Sequence, residues 1–296
     1  MTVVAIVGPT ATGKSELAVA LAERVGGEVV NADSMQLYRR MDVGTAKPTP
    51  AERRGVPHHL LDVWDVTERA SVVDYQRRAR AAIAAIEARG RMPLLVGGSG
   101  LYVRAVLDDL DFPGTDPDLR ARLEAELAAA GPATLHARLS HVDPEAARAI
   151  LPSNGRRVVR ALEVIELTGH PFAATLPAPT APLPAVQIGL DRDPAELDDR
   201  VAARVDRMWS AGLVEEVRTL PGLAGSPTAS RALGYQQVLR LLAGTLSDAE
   251  ARAETVRATR RFVRRQRSWF RRDPRITWLD AARGDLADAA ARTLDP

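Results

Sequence analysis

Residues Gly8-Pro9-Thr10-Ala11-Thr12-Gly13-Lys14-Ser15 have the spacing of a phosphate loop. Gly8 and Gly13 let the backbone curl so that successive N–H groups point at phosphate oxygens. A helix starting at the loop's end adds about half a positive charge. Lys14 is placed to reach the terminal phosphate and Ser15 to set its hydroxyl on Mg²⁺. The competing reading is a chance match in a glycine-rich turn. Lysine usage argues against it: among 40 Lys+Arg, only Lys14 and Lys47 are lysine. Where arginine has nearly displaced lysine, a retained lysine marks a place that needs a compact ammonium.

The loop does not say what becomes of the phosphates. Nucleotide hydrolases usually add a carboxylate at the end of a central strand, yet the apolar run here ends Leu94-Leu95-Val96-Gly97-Gly98-Ser99 without an acid. A diphosphate leaving group, rather than an ATP being hydrolysed, is one reading. Asp33 follows a second apolar run, at the strand end where open α/β sheets bind ligands; on chemistry alone it is equally a functional carboxylate or a helix cap. His58 and His59 project apart as sequence neighbours and lack a third ligand, so they read as structural. Met208, Trp209, Phe262 and Trp269 read as packing residues.

These groups need elements to hold them. Strand-like runs at 2–7, 28–31, 93–96, 186–190 and 276–279 alternate with helical periodicity, notably over 16–25 and 74–89. That order predicts an α/β fold, a P-loop NTPase-like parallel sheet flanked by helices. Between 113 and 184 the pattern changes to short helices with stops at Gly131, Pro132, Pro144 and Pro152. A proline-rich connector, extended and semi-rigid, closes it. We read 113–184 as a helical insertion domain and 1–112 with 185–296 as the catalytic core.

Composition narrows the class. At 296 residues and 46% hydrophobic, disorder and fibrous repeats are excluded, and the early run from Val3 to Val7 is too short to span a membrane. The absence of cysteine removes disulfides, thiolate metal sites and cysteine nucleophiles. A cytoplasmic protein is expected. The formal net charge is +2, but 252–275 carry ten arginines against Glu254 and Asp273. A polyanionic partner and a solvated helix face explain that run equally well. With Val256, Val263 and Phe270 turned inward, Arg257, Arg261, Arg264, Arg265 and Arg272 share an outer side.

Seven segments, in order, resemble the tRNA dimethylallyltransferases: the loop at 8–15, Asn31-Ala-Asp-Ser-Met-Gln-Leu-Tyr38, Met41-Asp-Val-Gly-Thr-Ala-Lys-Pro48, Pro57-His-His-Leu-Leu-Asp62, Leu94-Leu-Val-Gly-Gly-Ser-Gly-Leu-Tyr102, Arg160-Ala-Leu-Glu-Val164 and Arg231-Ala-Leu-Gly-Tyr235. Together they cover nearly the whole chain. The resemblance implies transfer of a dimethylallyl group from dimethylallyl diphosphate to N6 of adenosine 37, in tRNAs reading codons that begin with U, with diphosphate released. It implies Asp33 as general base, Ser99 (more often Thr in the family) against phosphate or amine, and Arg204 on the diphosphate. For the tRNA anticodon stem-loop it implies Asp33, Ser34, Met35, Gln36, Ser99, Arg120, Arg156, Arg157, Arg160, Arg231 and Tyr235, beside the stripe residues Arg261 and Arg264. The family more often has Gln where Arg156 stands. Mg²⁺ is the expected cofactor and a monomer the expected state, with the insertion clamping the anticodon arm. Three rivals stay open: a small-molecule kinase, a prenyltransferase acting on free adenine nucleotides, and an RNA-binding protein keeping the loop as a relic.

Overall fold

The runs of Val, Ile and Leu after Thr2 and around Leu94 are apolar without alternation, as strands buried on both faces must be. In the computed structural model, which describes residues 2–174, 176–180 and 182–294, they form the middle of a six-stranded sheet. The strands are β1 (Val3–Val7), β2 (Gly27–Asn31), β3 (His58–His59), β4 (Met92–Gly97), β5 (Ala185–Asp191) and β6 (Ile276–Asp280). Their order is β3-β2-β4-β1-β5-β6 and every pairing is parallel. The two-residue strand β3 escapes sequence reading because two histidines carry no apolar pattern; it pairs with Val29 and Val30 of β2. Its histidines are structural, His59 Nε2 lying 2.6 Å from Glu28 Oε2 and His58 Nδ1 2.8 Å from the Val56 carbonyl.

The helices are α1 (Lys14–Val25), α2 (Pro50–Arg53), α3 (Val72–Ala88), α4 (Gly100–Leu107), α5 (Pro117–Val142), α6 (Pro144–Ala149), α7 (Gly155–Thr168), α8 (Pro194–Ser210), α9 (Leu213–Arg218), α10 (Tyr235–Leu242), α11 (Asp248–Phe270) and α12 (Leu286–Arg292). None of those described is long and apolar enough to cross a membrane. One core layer packs α3, α4, α9, α10 and α11 residues on one sheet face, and a second packs α1 and α12 on the other.

The chain divides into two units, the first running to Asp109 and resuming at Thr180, the second being Leu110–Pro179. The second begins three residues earlier, and ends five residues earlier, than the sequence boundaries of 113 and 184 suggest. Thr180 goes with the sheet because its hydroxyl accepts from the Asp109 N–H at 2.9 Å and its carbonyl from Arg275 at 2.7 Å. The second unit packs Leu123, Leu135, Leu139, Val158 and Leu162 into its own core. Gly131, at φ 79° ahead of Pro132, breaks α5 where a stop was expected. Two residues of the proline-rich connector, Thr175 and Ala181, lie outside the described residues.

Lys47 shows why an ammonium was kept. Its Nζ donates to the Tyr38 carbonyl at 2.8 Å and to Asp42 and Asp62 at 2.6 Å each, with the side chain only 3% exposed. Three acceptors around one point suit a compact tetrahedral donor and not a planar fork. Lys47→Arg should cost ~1–3 kcal/mol, toward the low end because both carboxylates are half exposed. A lower thermal midpoint with unchanged far-UV dichroism checks this; an unaltered midpoint overturns it.

Candidate functional site

The site lies at the C-terminal ends of β1, β2 and β4, where the parallel arrangement brings three connecting segments together. Gly8 leaves β1 at φ 129°, and a Cβ there would sit 2.3 Å from the Leu190 carbonyl oxygen of β5, so only glycine fits the approach. Inside the loop, the Thr12 hydroxyl donates to the Pro9 carbonyl at 2.9 Å. From α8, Arg200 Nε donates to the Ala11 carbonyl at 2.8 Å. The Thr10 N–H donates to Gln266 Oε1 of α11 at 3.0 Å, so that amide is engaged by the protein. Helix α1 opens at Lys14 with no side chain capping its N-terminus, which leaves its first amides free for an anion.

A cavity of about 820 Å³ covers this loop, lined among others by Gly13, Lys14, Ser15, Asp33, Gly98 and Arg204. Arg200 and Arg207 also line it. Neither was singled out from sequence, although the spacing 200, 204, 207 places all three on one face of α8. Lys14 Nζ donates to the Pro9 carbonyl at 2.6 Å. Burial drives its pKa down to about 7, the Asp33 carboxylate opposing the shift and Arg204 adding to it. Burial likewise lowers Arg204, whose Nη2 donates to the Thr45 carbonyl at 3.1 Å.

A second cavity, of about 290 Å³, lies beside the first and shares Thr10, Asp33 and Arg204 with it. Ser34, Met35, Ser99 and Arg231 line it, together with Val205, Met208, Leu233, Thr255, Thr259, Phe262 and Arg265. Met208 and Phe262, read from sequence as packing residues, are therefore walls of a cavity. Thr255 and Thr259 carried no sequence signal beyond a helix's inner face.

Asp33 caps a turn and not the helix that the sequence allowed. Oδ1 accepts from the Met35 N–H at 2.9 Å and closes a turn, while Oδ2 has no hydrogen-bond partner among the described residues. Asn31 holds this turn, receiving the Asp33 N–H at 3.0 Å and donating to the Asp33 and Leu60 carbonyls. Ser99 Oγ accepts from the Ser34 N–H at 3.2 Å and donates to Ser34 Oγ at 3.3 Å. It lines the second cavity and not the first.

The expected RNA residues divide. Gln36 donates to the Thr45 and Ala46 carbonyls and lines the phosphate cavity, away from Ser34 and Met35. Tyr235 is a correction: it is fully buried, its hydroxyl on Glu216, whose carboxylate also takes the N–H groups of Asp42, Val43 and Gly44. A nucleic acid cannot reach it; it braces the 41–48 segment. In the second unit, Arg120 and Arg160 both close on the buried carboxylate of Glu163, which they and Thr115 hold down to a pKa of about 2. Arg156 and Arg157 are exposed.

On α11, aspartates outside the stripe take Arg260 and, at 3.9 Å, Arg264 (Asp198), and Arg267 with Arg271 (Asp191). Among the described residues, Arg257, Arg261, Arg265 and Arg272 have no carboxylate partner. All four are exposed.

A phosphate loop on a parallel sheet, joined through one carboxylate to a partly apolar cavity, defines a group-transfer enzyme that handles a phosphorylated donor. The IPP transferase family model matches residues 36–273, and the chain belongs to that family. It is 70% identical to the tRNA dimethylallyltransferase of Salinispora arenicola, over 99% of this chain and 86% of that protein. It is 67% identical to that of Thermobifida fusca, over 98% and 93%. Among solved structures it is similar to the tRNA isopentenylpyrophosphate transferase of Bacillus halodurans, with 43% identity, a TM-score of 0.73 and coverage of 99% and 97%. A eukaryotic dimethylallyltransferase acting on tRNA aligns with TM-score 0.80 at 27% identity, covering 99% of this chain and 77% of that one.

The lowered Lys14 makes a testable demand. An anion in the loop favours the ammonium, so above pH 7 diphosphate binding should take up a proton at Lys14. Calorimetry at pH 8 in two buffers of different ionisation heat should show this uptake. Lys14→Arg, charged in both states, should remove it; equal uptake in the two proteins refutes the assignment.

Proposed function

We propose that this chain transfers the dimethylallyl group of dimethylallyl diphosphate to N6 of adenosine 37 in tRNA. The observation that carries the reading is the junction of the two cavities at Thr10, Asp33 and Arg204. The diphosphate belongs in the larger cavity, against the open N-terminus of α1, Lys14 and Arg204. The flipped adenine and the five-carbon chain belong in the smaller one, among Met35, Val205, Met208 and Phe262.

The chemistry is then a displacement. The allylic C1–O bond breaks and its electron pair leaves with the diphosphate, where Lys14, Arg204 and the loop amides take up the growing charge. N6 forms the new bond to C1 and loses a proton to Asp33 Oδ2, the oxygen not spent on the turn. Ser99 Oγ, already a donor and acceptor at Ser34, stands beside it in the acceptor cavity. Among the described residues, no cluster of three acidic, His or Cys side chains forms a metal cage. The Ser15 hydroxyl at the anion cavity would hold a Mg²⁺ ion bound with the diphosphate. The ion would neutralise leaving-group charge.

For the RNA we assign Arg231 and Arg265 to phosphates at the mouth of the acceptor cavity. Arg257 and Arg261 extend that surface along α11, Arg272 lies just past its end, and Arg156 and Arg157 offer exposed charge on the second unit. A free adenine nucleotide has no use for that stripe, nor has a kinase.

Purified protein with Mg²⁺ and radiolabelled dimethylallyl diphosphate should label an unmodified tRNA bearing three adenosines at 36–38, and not AMP. Label in AMP alone moves the acceptor to free nucleotides. Asp33→Asn keeps the turn through Oδ1 and removes the base, so turnover should fall by about 10² or more with tRNA affinity held within about twofold. Parallel loss of both makes Asp33 a structural residue. Arg261→Gln with Arg265→Gln should weaken tRNA binding and reduce the slope of log K against log salt by about 2; an unchanged slope places the RNA elsewhere.

A further inference from the structure

Gln266 is polar, 6% exposed, and lies on the inner face of α11 where its neighbours Val263 and Phe270 are core residues. Its carboxamide uses both ends. Oε1 accepts from the Thr10 N–H of the phosphate loop at 3.0 Å, and Nε2 donates to the Gly98 carbonyl at the end of β4 at 2.9 Å. Gly98 makes room for it: a Cβ there would sit 2.3 Å from Nε2. The two segments it joins are both walls of the phosphate cavity, and Thr10 also faces the acceptor cavity.

We infer that Gln266 is a positioning residue that sets the phosphate loop, and with it the partition between the two cavities. The inference deepens the reading of this site as a prenyl-diphosphate enzyme and rests on it. The physical requirement is specific. One atom must accept from a backbone N–H and another must donate to a backbone carbonyl, both without charge beside an anion, and a carboxamide supplies that pair. Left unpaired in a buried place, either backbone group costs free energy. The loop would then relax away from the geometry that aims its remaining amides. Residues Thr255, Thr259, Phe262 and Arg265 of the same helix line the acceptor cavity. Helix α11 thus bears on both cavities, and Gln266 is its bond to the donor side.

The test uses the full chain and three variants. Gln266→Met keeps length and bulk but makes neither bond. It should raise the KM for dimethylallyl diphosphate and the Kd for inorganic diphosphate with Mg²⁺ by about tenfold, with the tRNA Kd within about twofold. Gly98→Ala should reproduce this from the opposite side by displacing the amide. Gln266→Glu keeps the acceptor and loses the donor; its loss relative to wild type should shrink as pH falls, because a protonated carboxyl both accepts and donates. If the Met variant does not fold, this pH comparison decides. A folded Met variant with wild-type diphosphate affinity overturns the inference, as do equal losses for diphosphate and tRNA or a pH-independent deficit in the Glu variant. Wild-type protein that binds diphosphate but transfers no label sinks the prenyl-transfer reading instead, and the diphosphate arm still judges Gln266.

Discussion

A half-buried lysine held by one backbone carbonyl dominates this site. Lys14 leaves water for a pocket where its partner is the Pro9 carbonyl, and desolvation drives its pKa down to about 7 against the pull of Asp33. Arg204, half-buried, pushes in the same direction as desolvation, and Arg200 and Arg207 stand on the same cavity. Dipoles and cations fixed in this way are aimed before any charge develops on a leaving group, so little reorganisation is left for the reaction itself. The loop's bracing follows from the same constraint. Hydrogen bonds from Thr12 and Arg200 occupy the Pro9 and Ala11 carbonyls, and a glycine pressed on Leu190 fixes where the loop leaves the sheet.

Asp33 is the counterweight, and its two oxygens have different work. One accepts from the Met35 N–H and closes the turn that Asn31 frames. The other stays available at the boundary of the two cavities. A helix cap and a base were competing readings in the sequence; the fold puts no helix after Asp33, and Oδ1 closes a turn while Oδ2 stays open.

The arginine-rich helix shows the same economy of charge. The excess along 252–275 looks uniform as a string, but much of it is answered by aspartates placed far away in the chain, Asp191, Asp198 and Asp108. What is left to solvent is a short row beginning at Arg257 and passing the acceptor cavity at Arg265. In the second unit, Arg120 and Arg160 are committed to Glu163, where a buried carboxylate needs both. Charge runs therefore state how much charge a helix carries, and pairing states where it acts.

The sequence by itself determined what is local. Eight residues carry the phosphate loop, the apolar runs carry five of the six strands and their parallel class, and Asp33 and Ser99 can be read at strand ends because a strand's exit is written in neighbouring residues. Lys47 could be singled out by residue usage alone. Only the tertiary structure decided which groups meet. Gln266 reaches a partner 256 positions away and Arg200 one 189 positions away, and no periodicity encodes a distance of that kind. Burial of Tyr235, the placing of Met208 and Phe262 on a cavity wall, and the pairing of the arginines belong to the same class. Side-chain spacing fixes the face of a helix, while the identity of what lies against that face comes from how the elements pack.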